Sequence, residues 1–172
     1  MLNGIRIIEI EGLGPTPFAG MLFSDLGAEV TVIHRKDKSD FSNHKNILDR
    51  GKRSIELNLK DPDDLVVAKK LIIRSDAVIE GFRPGVMEKL GLGPNEFSEN
   101  PSLVFGRMTG WGQDGPKSKQ AGHDLNYIGL SGALWFASHP NTPPFTPPAL
   151  VGDVGGGALY LVIGVLSAIL NA

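Results

Sequence analysis

The sequence IRIIEIEGLGPTPFAGMLFSDLGAEVTVIHR, residues 5–35, carries the strongest structural pattern in this chain. It begins with an apolar run over 5–10, typical of a buried strand, and ends with a similar run over 29–35. Between the two runs, apolar residues recur at helical spacing over 12–28, and Gly27 provides a stop signal. Strand, helix and strand in this order predict a βαβ unit with parallel strands.

The alternation of strands and helices continues downstream. Apolar runs over 54–59 and 76–82 predict two more strands, and a fifth strand begins at Leu103 and leads into a glycine-rich loop. A helix between the third and fourth strands begins at Pro62 and runs to about Arg74. The predicted fold class is therefore α/β, with an open, Rossmann-like and mostly parallel sheet flanked by helices.

Two segments interrupt this regular pattern. Residues 36–53 are mostly polar and predict a loop before the third strand. Residues 139–148, HPNTPPFTPP, are rich in proline and predict a stiff, extended linker.

Composition excludes several classes of protein. The chain has 172 residues, enough for one core domain, and a formal net charge of −2, so no basic surface field predicts a nucleic-acid partner. It contains no cysteine, which excludes disulfides, zinc–thiolate sites and thiol nucleophiles, and we predict no metal site. The N-terminus lacks the basic and apolar regions of a signal peptide, and we expect a cytoplasmic protein.

The most apolar segment is ALYLVIGVLSAIL, residues 158–170. It is shorter than the roughly 20 residues that a membrane-spanning helix needs, so we predict a buried helix and no membrane partner. The pattern stops at Ala172 without a glycine or proline, and we expect this chain to be a fragment of a longer polypeptide.

The turn GLGPTP, residues 12–17, resembles part of a dinucleotide-binding fingerprint. Pro17 occupies the position of the third glycine, and His34-Arg35 stands where an NAD site needs an acid for the ribose, so NAD is disfavoured. Arg35 suits a ligand with a phosphate on its ribose, either NADP or the 3′-phospho-ADP of coenzyme A (CoA). The alternative is a simple tight turn with Arg35 as a solvated cation.

Four cations follow different predicted strands: Arg35, Lys60, Arg83 and Lys89. The carboxyl ends of parallel strands lie at one edge of a sheet, so the fold would bring these side chains to one rim, as a polyanionic phosphate ligand requires. Each of them alone is more often a solvated surface residue. The glycine-rich loop over 108–116 has two open interpretations, a set of backbone donors for a ligand carbonyl or a turn with a packing tryptophan.

His123 and Asp153 are the candidate acid and base. His123 lies near the start of a predicted helix, where the dipole favours a neutral imidazole, and its neighbour Asp124 is predicted to be the helix N-cap. Asp153 precedes three glycines at the head of the apolar helix, where it could also be an N-cap. Together the two side chains form a pair suited to moving a proton.

Five motifs in the same order resemble the α-methylacyl-CoA racemase branch of the class III CoA-transferase family. They are GLGPTPFAGMLFSDLGAEV (12–30), EGFRPGVMEKLGLG (80–93), RMTGWGQDGP (107–116), AGHDLNYIGLSG (121–132) and VGDVGGG (151–157). The resemblance extends over nearly the whole chain. It implies a racemase that removes the α-proton of a 2-methylacyl-CoA on one face and returns a proton on the other, through an enolate.

The resemblance also implies roles for individual residues. His123 and Asp153 match the catalytic positions, one for each face of the enolate. The CoA-binding positions are Arg35, Leu57, Asn58, Leu59, Lys60, Gly81, Phe82, Arg83, Lys89, Gly122, Asp124, Leu125, Asn126 and Tyr127, although Lys89 stands where the family commonly has arginine. CoA is part of the substrate, and no separate cofactor is implied.

Other activities and a larger assembly remain open at this point. Transferases of the same family use the aspartate at the position of Asp153 as a nucleophile, which forms acyl-enzyme and CoA-thioester intermediates. Family members are about twice as long as this chain and form interlocked homodimers. We therefore expect residues 1–172 to be the CoA-binding portion of the large domain, without the smaller C-terminal domain and inactive alone.

Overall fold

The computed structural model describes residues 1–36, 46–145 and 150–172. Its centre is a five-stranded sheet in the order β3-β2-β1-β4-β5, in which every pairing is parallel. The strands are β1 (Arg6–Ile10), β2 (Glu29–Arg35), β3 (Arg53–Leu57), β4 (Ala77–Glu80) and β5 (Val104–Arg107). The predicted α/β fold class and the five parallel strands are confirmed.

Five α-helices accompany the sheet: α1 (Pro15–Asp25), α2 (Pro62–Ile72), α3 (Val86–Lys89), α4 (Asp124–Ser131) and α5 (Leu159–Asn171). A π-helical segment, Leu150–Ala158, runs directly into α5. Short 3-10 helices cover Ile47–Asp49, Pro94–Phe97 and Ala133–Ala137. The predicted bounds of the second strand agree with β2, and α2 begins at Pro62 as predicted, with Asp61 as its N-cap.

Apolar side chains cover both faces of the sheet. Ile7 and Ile79 point to the layer of α1 and α5, whereas their neighbours Ile8 and Val78 point to the opposite layer. Successive strand residues face opposite sides, so near-continuous apolar runs are what a sheet buried on both faces requires. Glu9 is the exception in the middle of β1: it lies against α1 and is only 1% exposed.

The helix at the end of the chain corrects two sequence-based predictions. It is not a buried helix, because only one stripe of α5 faces the sheet: Val162 and Val165 are buried, whereas Tyr160, Ile163 and Leu170 are 70%, 59% and 88% exposed. The argument that it is too short to cross a membrane is also wrong. The π-helical segment extends it to 22 residues, which is long and apolar enough by length and composition alone. Core helices of soluble proteins meet the same test.

The two irregular segments are only partly described. Residues 37–45 of the predicted polar loop and 146–148 of the predicted linker lie outside the described residues. The described part of the linker is not extended. Thr142 N–H donates to the carbonyl of His139, and Phe145 N–H donates to the carbonyl of Ala137, so the chain turns back on itself.

Candidate active site

Two cavities lie at the edge of the sheet where the strands end, as the parallel topology requires. One has a volume of about 600 Å³ and contains His123 and Asp153; we call it the His123 cavity. The other has a volume of about 810 Å³ and contains Arg35; we call it the Arg35 cavity. Leu13 lines both cavities. Of two neighbours in the chain, Gly81 lines the His123 cavity and Phe82 lines the Arg35 cavity.

His123, not Asp124, is the N-cap of α4. Its backbone is extended, and its N–H donates to Asn126 Oδ1 at 2.9 Å, which fixes the start of the helix. Asp124 is the first helical residue, so its predicted role as the cap of its own helix is wrong. The His123 side chain remains largely exposed, with 64% of its surface accessible.

The carboxylate of Asp124 instead holds the segment that carries Asp153. Its Oδ2 accepts hydrogen bonds from Gly152 N–H at 2.6 Å and from Asp153 N–H at 2.8 Å. Asp153 lies inside the π-helical segment and not before it, so its predicted N-cap role is wrong as well. Asp124 is only 3% exposed, and we interpret it as the residue that fixes the backbone of Asp153. Single π-helical turns are frequent at functional sites.

The side chains of His123 and Asp153 meet in the His123 cavity. His123 Nδ1 lies 3.1 Å from Asp153 Oδ2, and Asp153 is 6% exposed. They therefore face each other in one cavity, but in direct contact and without a gap between them. Gly14 packs against both: a Cβ at this position would lie 3.6 Å from Asp153 Oδ2 and 3.7 Å from His123 Cε1.

Gly14 also has a φ of +71°, which side chains with a Cβ rarely adopt. The second glycine of GLGPTP therefore serves the pair at residues 123 and 153 as well as the turn. Sequence reasoning missed this role, because the pair and the turn are more than a hundred residues apart. The G-x-G spacing was a visible signal, but it pointed to a dinucleotide.

Tyr127 joins the glycine-rich loop to α4. Its hydroxyl donates to the carbonyl of Gly122, and its ring meets Trp111 edge-on at 5.1 Å between centroids. A Cβ on Gly122 would lie 2.8 Å from Tyr127 Cε1, so glycine permits this packing. Burial, followed by the charges of Asp153 and Asp124, raises the pKa of Tyr127. This contact favours the interpretation of Trp111 as a packing residue.

The residues that match CoA-binding positions fall into three groups. Those around the Arg35 cavity are Arg35, Leu57, Asn58, Leu59, Lys60 and Phe82. Gly81, Gly122 and Tyr127 line the His123 cavity. The remaining residues line neither cavity: Arg83, Lys89, Leu125 and Asn126 are exposed, and Asp124 is buried. Of the four predicted cations, the structure thus brings Arg35 and Lys60 together at one cavity.

The Arg35 cavity also contains a contact between a carboxylate and an imidazole, with a buried ion pair behind it, and the sequence indicated neither. Glu11 Oε1 lies 3.0 Å from His34 Nδ1, and Glu11 Oε2 accepts the N–H of Arg35 at 2.8 Å. Partial burial acts to raise the pKa of Glu11, but these two hydrogen bonds outweigh it and lower the pKa. Behind them, Lys52 Nζ lies 2.7 Å from Glu9 Oε2, with both side chains almost fully buried.

Glu80 lies between the two cavities, at the end of β4. Its Oε2 accepts the N–H of Phe82 at 2.6 Å, and its Oε1 lies 3.9 Å from Arg107 Nε. Arg107 in turn pairs with Glu88 at 2.6 Å and lines the His123 cavity. Burial raises the pKa of Glu80 to about 7, against the lowering effect of the Phe82 hydrogen bond and of Arg107. Glu80 and Arg107 are the first residues of two motifs that carry the family resemblance, but the sequence predicted no role for either.

Within residues 1–36, 46–145 and 150–172, no group of three or more histidine, aspartate and glutamate side chains is placed to hold a metal ion. The absence of a metal in the function of this protein stays a prediction.

Comparisons with known proteins identify relatives of this chain. The chain is 43% identical over 170 residues to alpha-methylacyl-CoA racemase from Mus musculus, covering 98% of this chain and 44% of that protein. It is 32% identical over 181 residues to succinyl-CoA–D-citramalate CoA-transferase from Chloroflexus aurantiacus, covering 98% of this chain and 45% of that protein. The crystal structure of a CaiB/BaiF family protein from Brucella suis has a TM-score of 0.89 at 26% identity, covering 98% and 49%.

This chain therefore spans somewhat less than half the length of each of these relatives. The family expected from the sequence motifs is confirmed, and both racemases and transferases are among its relatives. Because the family model matches residues 2–172, the chain belongs to CoA-transferase family III.

Proposed function

We propose that this chain is the CoA-binding portion, residues 1–172, of an enzyme that racemises 2-methylacyl-CoA thioesters. The observation that carries the proposal is the contact of His123 Nδ1 with Asp153 Oδ2 inside one cavity. Similarity to alpha-methylacyl-CoA racemases from mouse and human, at 43% and 42% identity, supports it.

The two cavities suit the two ends of an acyl-CoA. The nucleotide would occupy the Arg35 cavity, where Arg35 and Lys60 offer cations to its phosphates. The pantetheine arm would then pass Leu13 and the backbone of 81–82, where the cavities adjoin, and bring the thioester to His123. Such an extended ligand needs both cavities, and neither alone accounts for the whole molecule.

The contact between His123 and Asp153 suits a pair that shares one proton. In one direction the neutral imidazole accepts the α-proton from the substrate, and the protonated Asp153 donates its proton to the opposite face of the enolate. The pair is then left as an imidazolium and a carboxylate, ready for the reverse direction, so protons balance over each turnover.

A planar enolate must lie between the two groups, so substrate binding has to separate them. Asp153 is held through its backbone by Asp124, whereas 64% of the His123 side-chain surface is accessible. We therefore expect His123 to move and Asp153 to stay in place. The developing oxyanion also needs hydrogen-bond donors.

The alternative is a CoA transferase in which Asp153 is the nucleophile. Its carboxylate lines the cavity, and transferases are among the relatives of this chain. Such an enzyme would form an acyl-aspartyl anhydride and then a CoA thioester at Asp153, and His123 would not be required. A third option is that these residues bind CoA but are inactive without further protein.

The deciding experiment follows α-proton exchange. The 172-residue chain, and any longer polypeptide of which it forms part, would be incubated with 2-methylacyl-CoA in D₂O, and deuterium at the α-carbon would be measured by NMR. We expect exchange by the longer polypeptide and none by the 172-residue chain. In the longer polypeptide, His123→Gln and Asp153→Asn should each abolish racemisation of a single enantiomer, whereas the exposed control variants His139→Gln and Asp114→Asn should keep it.

Several outcomes would change the proposal. Racemisation at the wild-type rate in the His123→Gln variant would contradict the acid–base pair. CoA transfer to a second acid, together with trapping of Asp153 by hydroxylamine, would favour the transferase. Exchange by the 172-residue chain at the rate of the longer polypeptide would contradict its expected inactivity. We further propose a cytoplasmic homodimer without nucleic-acid or membrane partners and without a cofactor besides the substrate's own CoA.

A further inference from the structure

Glu11 and His34 form a pair at the Arg35 cavity that the reaction proposed above does not use. Glu11 follows β1 and His34 lies near the end of β2. Because Ile10 pairs with Ile33 in the parallel register, the next two residues lie side by side. The Oε1–Nδ1 distance is 3.0 Å, and both residues line the cavity. Their side chains are 31% and 25% exposed, so ligand can reach them.

Glu11 also fixes which ring nitrogen of His34 meets a ligand. One of its carboxylate oxygens holds His34 Nδ1, and the other accepts the N–H of Arg35 at 2.8 Å, so the carboxylate cannot turn away. In the part of the chain that the structure describes, the His34 ring makes this hydrogen bond and no other. A carboxylate at Nδ1 keeps a proton on that nitrogen, which leaves Nε2 for the cavity.

The charges around His34 make this nitrogen important for an anionic ligand. Two of the nearby ion pairs are internally neutral: Glu9 with Lys52, and Lys36 with Asp64. Among the described residues, three other carboxylates face His34 or the cavity: Glu11, Asp49 and Glu56, the last of which lies beside His34 in the register of β2 and β3. Two cations, Arg35 and Lys60, line the same cavity. The carboxylates outnumber the cations by one, and a protonated His34 makes the two signs equal.

A neutral His34 would present a lone pair at Nε2 to the phosphate of a ligand, whereas a protonated His34 would donate a hydrogen bond. Charge-assisted hydrogen bonds of this kind are about twice as strong as those between neutral groups.

We propose that His34 is a proton-uptake subsite for the phosphate monoester on the ribose of the bound nucleotide. When the phosphate binds beside Arg35, His34 takes one proton from solvent at Nε2. The imidazolium then donates to Glu11 through Nδ1 and to the phosphate through Nε2, and no covalent bond changes. This inference rests on the proposed function only in taking CoA as the ligand.

Calorimetric titration of the chain with CoA tests this directly. Titrations in two buffers of different ionisation enthalpy, above neutral pH, give the number of protons taken up for each ligand bound. We expect close to one proton for CoA and clearly less for dephospho-CoA, which lacks the ribose phosphate. Above neutral pH the free phosphate monoester is doubly ionised and could itself accept a proton, so variants of His34 are needed to assign the uptake.

Variants identify the group that takes up the proton. His34→Gln should abolish proton uptake and the pH dependence of CoA affinity, which we expect to fall up to tenfold for each pH unit above the titration of the imidazole. Glu11→Gln should keep the uptake but move the fall in affinity to lower pH. His139→Gln, an exposed histidine outside both cavities, is the matched control. The unfolding temperature without ligand shows whether each variant is folded, and His34→Asn provides a second variant at the same position.

The results separate this inference from the proposed function. Three results, each with tight CoA binding, would overturn the subsite and leave the racemase proposal intact. They are no proton uptake, equal uptake for dephospho-CoA, and uptake that persists in both His34 variants. If α-proton exchange is absent in the experiment above but proton uptake is retained, the racemase proposal fails and the subsite stands. Absence of any CoA binding overturns both.

Discussion

Residues 1–107 and residues 108–172 differ in how far their apolar side chains are exposed. In the first region the strands and helices bury most of theirs in two layers on either side of the sheet, although Val66 and Val67 on α2 and Ile47 are exposed. In the second region, large apolar side chains are exposed on α4, on α5 and on the segments between them: Leu125, Leu130, Trp135, Phe136, Phe145, Leu150, Val151, Leu159, Tyr160, Ile163 and Leu170. His123 and Asp153 both belong to this second region.

The core that stabilises this chain and its candidate catalytic pair therefore lie mostly in different regions. The sheet region contains the buried ion pair and most of the core, so substitutions there should act mainly on the free energy of unfolding. The second region contributes the stripe of α5 that faces the sheet, and it holds the candidate catalytic pair. Substitutions on its exposed face should therefore leave folding nearly unchanged.

The largest effect is expected for Lys52→Ala. Lys52 Nζ contacts Glu9 Oε2 at 2.7 Å and the carbonyl of Pro17 at 3.0 Å, and the two charged side chains are 1% and 2% exposed. Burial raises the pKa of Glu9, while Lys52 acts to lower it. Without Lys52 the carboxyl is buried and unpaired, and we expect a loss of about 3–5 kcal/mol in the free energy of unfolding, measured with urea.

The control is Arg53→Ala, next to it in the sequence. Arg53 pairs with Glu29 at 3.3 Å, but both side chains are exposed, so the loss should be below about 1 kcal/mol. The double variant Glu9→Gln/Lys52→Met should recover part of the loss, since it leaves no buried charge without a partner. Equal losses for Lys52→Ala and Arg53→Ala would contradict the assignment of stability to the buried pair.

The next effect is a pH dependence due to Glu80. Its pKa is about 7 in the folded chain, against an ordinary value of 4.5. A raised pKa means that its contribution to stability is fully present below pH 4.5 and is lost as the pH rises through 7. Relative to Glu80→Gln, the wild type should lose on the order of 2–3 kcal/mol between these limits.

Urea unfolding of both proteins at a series of pH values measures this difference. The amide side chain of the Glu80→Gln variant keeps an oxygen that can accept the N–H of Phe82, so the loop that joins the two cavities should stay in place. Glu99→Gln, at an exposed position, should track the wild type at every pH. A constant difference between wild type and Glu80→Gln across this range would show that burial does not govern Glu80.

The sequence predicted the sheet better than the surroundings of the site. Strands of a buried parallel sheet are short apolar runs, and the stop signals near them are local, so β2 was predicted with its observed bounds. Asp124 shows the opposite case. Its local position favoured an N-cap, but its carboxylate binds Gly152 and Asp153, which are distant in sequence. Local patterns do not reveal a partner that only tertiary packing supplies.

The same limit explains why the sequence did not predict two side-chain contacts near the Arg35 cavity or the exposure of α5. The contacts of Glu11 with His34 and of Glu9 with Lys52 depend on strand register and on where a loop returns, neither of which is visible in the sequence. For α5, apolar residues on all sides predicted burial on all sides, but a sheet covers only one stripe of a helix that packs on it. His123 and Asp153 were nevertheless predicted as a pair, from their positions near two helices and from motifs that resemble a known family; they are in contact, and their catalytic role stays a prediction.

The smallest effect is expected for Ile163→Ser on the exposed face of α5. Ile163 is 59% exposed, and isoleucine and serine have similar helix propensities, so the free energy of unfolding should change by less than about 0.5 kcal/mol. Its neighbour Val162 is 7% exposed and packs in the core layer of α1, so Val162→Ala should cost about 1–3 kcal/mol. Urea unfolding of the two variants compares adjacent residues on one helix. Similar losses for both would mean that the exposed face of α5 also contributes to folding, and that the separation of the two regions fails at this helix.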